Sequence, residues 1–408
     1  MLNRRHLLCC GAAAAGLFTS LADPARASLL NPCRPGIPPA LRDFVAASFD
    51  GLAIDQLWDV HTHLLGTGDS GSGCTINAQL DQWWHPIESL RKRFILNAAC
   101  VPPDAPSVDR AYVQRLRALA DDFPAGARWL LFAFDHACDA QGRPVVAQTT
   151  FHVPDAYAAD VAAQHRDRFG WVASIHPQRP DALDRLDSAL AQGAVALKWL
   201  PSSMAIDLRD PRLTPFYERL ASTRLPVIVH CGEEKAVPGA GREDLGNPLH
   251  VRAALARGVR VIVAHCGSLG HALDLDARRP REVSAFSLFA RLMDEGWGAH
   301  LMGDISCVLQ TNRRPEVARA LLARSDWHAR LLQGSDYPLP GIAALLRLPA
   351  LVRAGLLAEA DVAPLAALRE HNPLLFDLAL KRRVRWQGSA WSPAVFATRP
   401  HFERPSVS

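Results

Sequence analysis

"DVHTHL", residues 59–64, ends a short apolar run on two imidazoles one residue apart. Successive side chains of an extended strand point to opposite faces, so His61 and His63 share one face and Thr62 takes the other. That spacing lets one strand present two imidazoles to one ion. Alone, an H-x-H pair is a weak sign of a metal. Its meaning depends on what else in the 408-residue chain can reach it.

Working outward, "QLWDVH" (56–61) is the first of eight apolar runs. The others are "RWLLFAF" (128–134), "GWVASIH" (170–176), "AVALKWL" (194–200), "LPVIVHC" (225–231), "VRVIVAHC" (259–266), "LMGDISC" (301–307) and "RLLQGSD" (330–336). Continuously apolar strands separated by helical patterns indicate a parallel sheet covered by helices. Eight such units predict an α/β fold, a (β/α)8 TIM barrel. The intervening helices fall near 154–169, 181–193, 211–222, 247–258 and 284–296, and three of these stretches end on Gly193, Gly258 and Gly296. Asp155 reads as a cap of the first and Asn247 as a cap of the fourth.

Two regions break the eightfold pattern. Residues 64–127 form an insertion after the first strand, opening on the Gly/Ser loop "GTGDSGSG" (66–73), with helical patterns near 79–99 and 107–122. Within it "FILNAAC" (94–100) also reads as a ninth strand. The tail, 384–408, is rich in Pro and Trp and predicts an irregular wrap on the surface. No repeat or linker divides residues 28–383, so they are one barrel domain.

Residues 1–27 are not part of this fold. Arg4-Arg5, a short apolar stretch and the small-residue site Ala25-Arg26-Ala27 have the form of a twin-arginine export signal. The apolar run is too short for a permanent membrane anchor. The expected location is therefore the periplasm or outside the cell, with the twin-arginine machinery as a partner. Seven of the nine cysteines lie beyond the signal, scattered, with no C-x-x-C pair. A cysteine zinc site is not expected; one disulfide among Cys33, Cys74, Cys100 and Cys138 would suit an oxidising compartment. Hydrophobic residues make up 49% of the chain and suit a large core, while the net charge of +4 carries no basic block with interleaved aromatics. Nucleic acid is not an expected partner; a homo-oligomer is compatible with the sequence.

The strand ends carry the chemistry. In a barrel, active sites form at the C-terminal ends of the strands. "VIVHCG" ends on His230, "VIVAHCG" on His265, "LLQGSDYP" on Asp336, and Lys198 sits near the end of "ALKWLP". Lys198 is one of only four lysines, with Lys92, Lys235 and Lys381. Burying a charge in such a strand is costly unless it is paired or bound to metal. Four histidines and a carboxylate suit zinc or a similar divalent ion.

This constellation resembles the amidohydrolase superfamily of metal-dependent hydrolases, over roughly residues 56–377. It looks closest to the amidohydrolase-related branch, which holds hydrolases and non-oxidative decarboxylases such as aminocarboxymuconate semialdehyde decarboxylase. The resemblance implies that His61, His63 and Asp336 hold the more buried metal. It implies that Asp336 takes a proton from the metal's water. His230 and His265 would hold a second metal, or position water and substrate around a single one. Lys198 would either bridge two metals as a carboxylated lysine or sit beside one ion unmodified. The implied activity is a metal-activated water acting on an ester, lactone or amide bond of a small molecule. The alternative is zinc-dependent decarboxylation of a small unsaturated or aromatic acid. A non-catalytic metal or ligand binder on the same scaffold fits less well, since a binder has no need of Asp336 as proton shuttle.

Other polar residues admit two readings each. His176 closes a strand, as a substrate contact or as a histidine satisfied by loop hydrogen bonds, and the second is favoured. Glu233, Glu234, Lys235 and Arg242 follow His230, either lining the pocket toward a polar or anionic substrate or simply solvated. Asp304 either supports the ligands from behind or bonds backbone. Cys231 and Cys266 point into the helix layer as small apolar groups. Trp83, Trp84 and His85 form a lid or a small insertion core.

Overall fold

The computed structural model describes residues 30–77, 86–102, 104–237 and 239–403. The export signal and the Trp83, Trp84 and His85 cluster lie outside the described residues. All eight sequence runs contain a strand: β1 Trp58–His63, β2 Arg128–Phe132, β3 Phe169–Val172, β4 Leu197–Trp199, β5 Val227–His230, β6 Val261–Ala264, β7 Leu301–Asp304 and β8 Leu331–Leu332. β1, β2 and β3 pair in parallel, as do β4 through β8 in chain order.

Two seams join these sheets into a ring. At the first, Ala173 bridges Leu197 in parallel and the Lys198 amide donates to the Ala173 carbonyl at 2.8 Å. At the second, Thr62 bridges Tyr337, the Val60 amide donates to Gln333, and the Asp336 amide donates to the His61 carbonyl at 2.8 Å. The strand order is therefore that of a closed (β/α)8 barrel.

Alternation separates the interior from the helix layer. On β2, Trp129 meets Phe123 outside while Phe132 faces His61, ring centroids 4.7 Å apart. On β4, Lys198 stands over the Phe132 ring and its neighbour Trp199 packs on Phe216 and Tyr217 of the helix Thr214–Thr223. The outer layer also includes Asp155–Gln164, Ala182–Ala191, Ala285–Asp294 and Pro315–Ala323. Asn247 caps as expected, accepting from the Leu249 amide. Asp155 does not cap: it accepts from the Ser174 amide and pairs with Arg185, tying its helix to the loop after β3. No helix among the described residues is long and apolar enough to cross a membrane.

The insertion carries helices α1, Pro86–Ala98, and α2, Val108–Asp121. "FILNAAC" is thus mostly the end of α1 rather than a ninth strand. The Gly/Ser loop is tied down by a reciprocal clasp. Buried Asp109 accepts from the Thr67 amide and the Ser70 and Ser72 hydroxyls, while Asp69 accepts from Ser107 and the Val108 amide at the start of α2. A two-residue strand, Thr75–Ile76, pairs with Phe151–His152 beyond β2.

The tail corrects the surface expectation. It is irregular, but Trp391, Val395, Phe396 and Phe402 are buried. It seats at the end of the barrel where β1 and β8 begin: the Gln333 amide donates to Val395, and Thr398 exchanges hydrogen bonds with both backbone groups of Trp58. Apolar area that needed cover outweighed the turn-rich composition.

A disulfide joins Cys33 to Cys100, beside paired amides of Asn31 and Asn97. It fixes the end of α1 to the N-terminal segment. For a sequence separation of 67 residues, the entropy removed from the unfolded chain corresponds to about 4 kcal/mol. Replacing both cysteines by serine should lower the unfolding free energy of the oxidised protein by roughly 2–4 kcal/mol. Denaturant titration reads the change; unchanged stability would show that the link constrains nothing.

Candidate functional site

The strand ends converge on a cavity of about 390 Å³ at the barrel mouth. His61, His63, Lys198, His230, His265 and Asp336 all line it. Its wall is otherwise largely apolar, with Leu65 and Ile76 of the insertion, Phe94 and Ile95 of α1, Phe151 and Ile342 among the contributors.

Asp336 is the junction. Its Oδ1 lies 2.7 Å from His63 Nε2 and 3.3 Å from His61 Nε2. These three residues bring ligand atoms within one ion's reach, as do His61, His265 and Asp304. Close approach of β8 permits this, because a Cβ on Gly334 would sit 2.7 Å from His61 Cβ. Tyr112 of α2 donates to the His63 carbonyl, tying the insertion to the end of β1.

The hydrogen bonds behind the rings fix their tautomers. Asp304 Oδ2 lies 2.9 Å from His61 Nδ1 and, being ionised, accepts a hydrogen bond from Nδ1–H. Its Oδ1 accepts from the Ser306 hydroxyl, which in turn accepts from His265 Nδ1 at 2.8 Å. Glu234 Oε2 sits 3.3 Å from His230 Nδ1. All three rings therefore turn an Nε2 lone pair away from their supports, and His230 Nε2 is buried with no hydrogen-bond partner among the described residues. That donor set, imidazole nitrogens with a carboxylate, fits a borderline divalent ion.

Burial sets the charges. It pushes His61 down to about 4, with Lys198 adding to the effect, and it drives His265 well below its usual range. It lowers His230 too, against Glu234. Burial alone would raise Asp336, but His61, His265 and His63 hold it well below the usual carboxylate range. Lys198 is pulled down by burial, against Asp304, Asp336 and Glu234. Its amine lies 5.0 Å from the Phe132 centroid and has no hydrogen bond or ion pair among the described residues.

The remaining sequence candidates divide. Glu233 and Lys235 line the cavity and pair with each other. Glu234, read from sequence as pocket lining, lines it while also holding His230. Arg242 does not reach the cavity wall; it is exposed and paired with Asp244. Neither does His176, which is fully buried, with Nε2 2.9 Å from the Met204 carbonyl. Cys231 and Cys266 are buried, and Cys266 donates to the Asp304 carbonyl. Sequence reasoning missed Ser306, Cys307, Gln310 and Arg313. Cys307 Sγ lies 2.7 Å from Asp336 Oδ2 and accepts from Gln310 Nε2 at 2.9 Å. Arg313 lines the cavity, with Nε donating to Ser268 and no ion pair among the described residues. The one available signal was position, since Ser306 and Cys307 lie within three residues of the end of β7.

Residues 58–376 match the model of the family described as Amidohydrolase. No curated protein matches the chain. Similar solved structures include an uncharacterised TIM-barrel protein from Bordetella bronchiseptica, at 18% identity over 69% of this chain and 87% of that one, TM-score 0.44. A putative 2-pyrone-4,6-dicarboxylic acid hydrolase from Pseudomonas putida is 17% identical over 85% and 97%, TM-score 0.43. A 2,6-dihydroxybenzoate decarboxylase from Rhizobium is 16% identical over 79% and 98%, TM-score 0.39.

Two outcomes follow from this geometry. Asp304→Ala frees the His61 tautomer and should weaken metal affinity roughly 10–100-fold; chelator competition measures it, and unchanged affinity would contradict the supporting role. His176 is held neutral by burial, from 6.5 down to about 4. Between those pH values the unfolded chain binds a proton that the folded one refuses, so stability falls as pH drops through the window. His176 contributes up to roughly 3 kcal/mol of that loss by pH 4. The His176→Asn variant should show a shallower acid limb in denaturant titrations; an identical limb would refute the assignment.

Proposed function

The chain belongs to the amidohydrolase family, a family of metal-dependent enzymes, and from that premise we propose that it hydrolyses an ester, lactone or amide bond of a small molecule. The observation that carries this reading is Asp336, whose single oxygen meets both strand-one histidines at the cavity.

His61, His63 and Asp336 would hold a divalent ion, zinc by the chemistry of the donors, with His230 and His265 facing the same space. An ion bound there supplies Lewis-acid polarisation of the oxygen atoms it contacts. The residues of the chain do the rest. Asp336 accepts the proton released by the attacking water and passes it to the leaving group. Asp304, Ser306 and Glu234 aim three imidazoles, which burial keeps neutral. The apolar wall excludes water and seats the body of the substrate. Among the described residues the Lys198 amine has no hydrogen bond or ion pair, so it would be open to carboxylation and a role as a metal ligand.

A second reading, non-oxidative decarboxylation, is favoured by Arg313. Among the described residues two nitrogens of its guanidinium have no hydrogen-bond partner, which suits a substrate carboxylate. Glu233 and Lys235 at the wall would add polar contacts in either case. Residues 1–27 as an export signal gain support from the Cys33–Cys100 disulfide, since such links persist in oxidising compartments.

A screen of esters, lactones and N-acyl compounds, with carbon dioxide release followed in parallel, separates the two reactions. Activity should vanish with chelator and return with zinc. Asp336→Asn should cut kcat roughly 10²–10⁴-fold with its melting curve little changed. A fully active variant would sink the proton-shuttle role, and carbon dioxide release without hydrolysis would replace the hydrolase reading.

A further inference from the structure

Three donor clusters meet at the barrel mouth, and the third contains a residue, Cys307, that has no part in the reading above. His265, Cys307 and Asp336 are buried, and one ligand atom of each lies within 4.8 Å of the others. Asp336 divides its oxygens between two sets: Oδ1 faces His61 and His63, while Oδ2 accepts a hydrogen bond from the Cys307 thiol. A carboxylate split this way has the form of a ligand shared by two ions.

We propose that His265, Cys307 and Asp336 Oδ2 form a second, sulfur-containing metal site, with Cys307 as its thiolate ligand. The inference rests on the metal-dependent reading of the first site. Three observations support it. His265 turns its Nε2 lone pair away from Ser306, toward the cavity. His230 lines the same cavity, its ring centroid 5.3 Å from that of His265, with a buried, unpartnered Nε2 as a further donor. His265, Cys307 and Asp336 also share an uncommon backbone state, with φ of 55°, 58° and 59°. Non-glycine residues enter this left-handed region at a cost, and such residues cluster at functional sites. Here three different strand ends make the same turn, and each delivers a donor to one point.

The chemistry follows from the ligand. On binding, the divalent ion takes the sulfur lone pair and the thiol proton leaves to solvent, so one proton is released per ion bound. A thiolate favours soft or borderline ions such as zinc or cobalt over magnesium or calcium. Gln310 Nε2, which donates to Sγ, would hold the thiolate in place.

The test uses the full-length purified chain, stripped with chelator and titrated with cobalt(II) chloride. Two cobalt ions should bind per chain, with a sulfur-to-cobalt charge-transfer band in the near ultraviolet. Cys307→Ser should lose the band and one of the two ions. In unmutated protein, native-state labelling with iodoacetamide should reach Cys307 only after chelation, which keeps the test independent of how the variant folds. One bound cobalt without the band, or a Cys307→Ser protein that still binds two, overturns this inference alone and leaves the first site standing. No cobalt bound by the unmutated chain overturns both.

Discussion

The hydrogen bond from the Asp336 amide to the His61 carbonyl closes the barrel and assembles the site at once. It joins β8 to β1, the last strand to the first. The same two residues then face each other through Oδ1 and Nε2. Gly334 admits this approach, since a side chain there would collide with His61. The tail secures the seam from the opposite end, through Val395 and Thr398. Anything that opens this seam separates His61 and His63 from Asp336, so fold stability and site geometry are one property here.

Electrostatics around that seam have a consistent logic. Three imidazoles, two ionised carboxylates and an amine are buried in one place, with His63 half-buried beside them, and packing without water would not tolerate them unpaired. Asp304 and Ser306 satisfy the outer nitrogens of His61 and His265. Burial strips the protons from the inner nitrogens. The result is a set of lone pairs aimed at a cavity with an apolar wall, a donor arrangement that suits a cation. The insertion completes the wall: α1 is anchored by the Cys33–Cys100 link, and the Gly/Ser loop by the Asp69 and Asp109 clasp.

Most of the barrel was legible because its strands are continuously apolar and its candidate ligands lie where those runs end. His61, His63, Lys198, His230, His265 and Asp336 could be read from position alone. What escaped has physical reasons. Arg242 follows a lining loop and His176 follows a strand, but an exposed ion pair claims one and a backbone carbonyl the other. The end of α1 is apolar enough to pass for a strand, since short apolar runs carry no period. The buried tail was missed because its partners, Trp58 and Gln333, lie far away in sequence. Ser306 and Cys307 were hidden because a turn, not a strand, aims them, and turn geometry leaves little trace in composition.

The most direct test of the central claim is anomalous diffraction from crystals of the protein grown with zinc. The account predicts a strong peak bounded by His61 Nε2, His63 Nε2 and Asp336 Oδ1. A clear electron-density map with these three side chains in hydrogen-bond contact and no anomalous peak between them would contradict it.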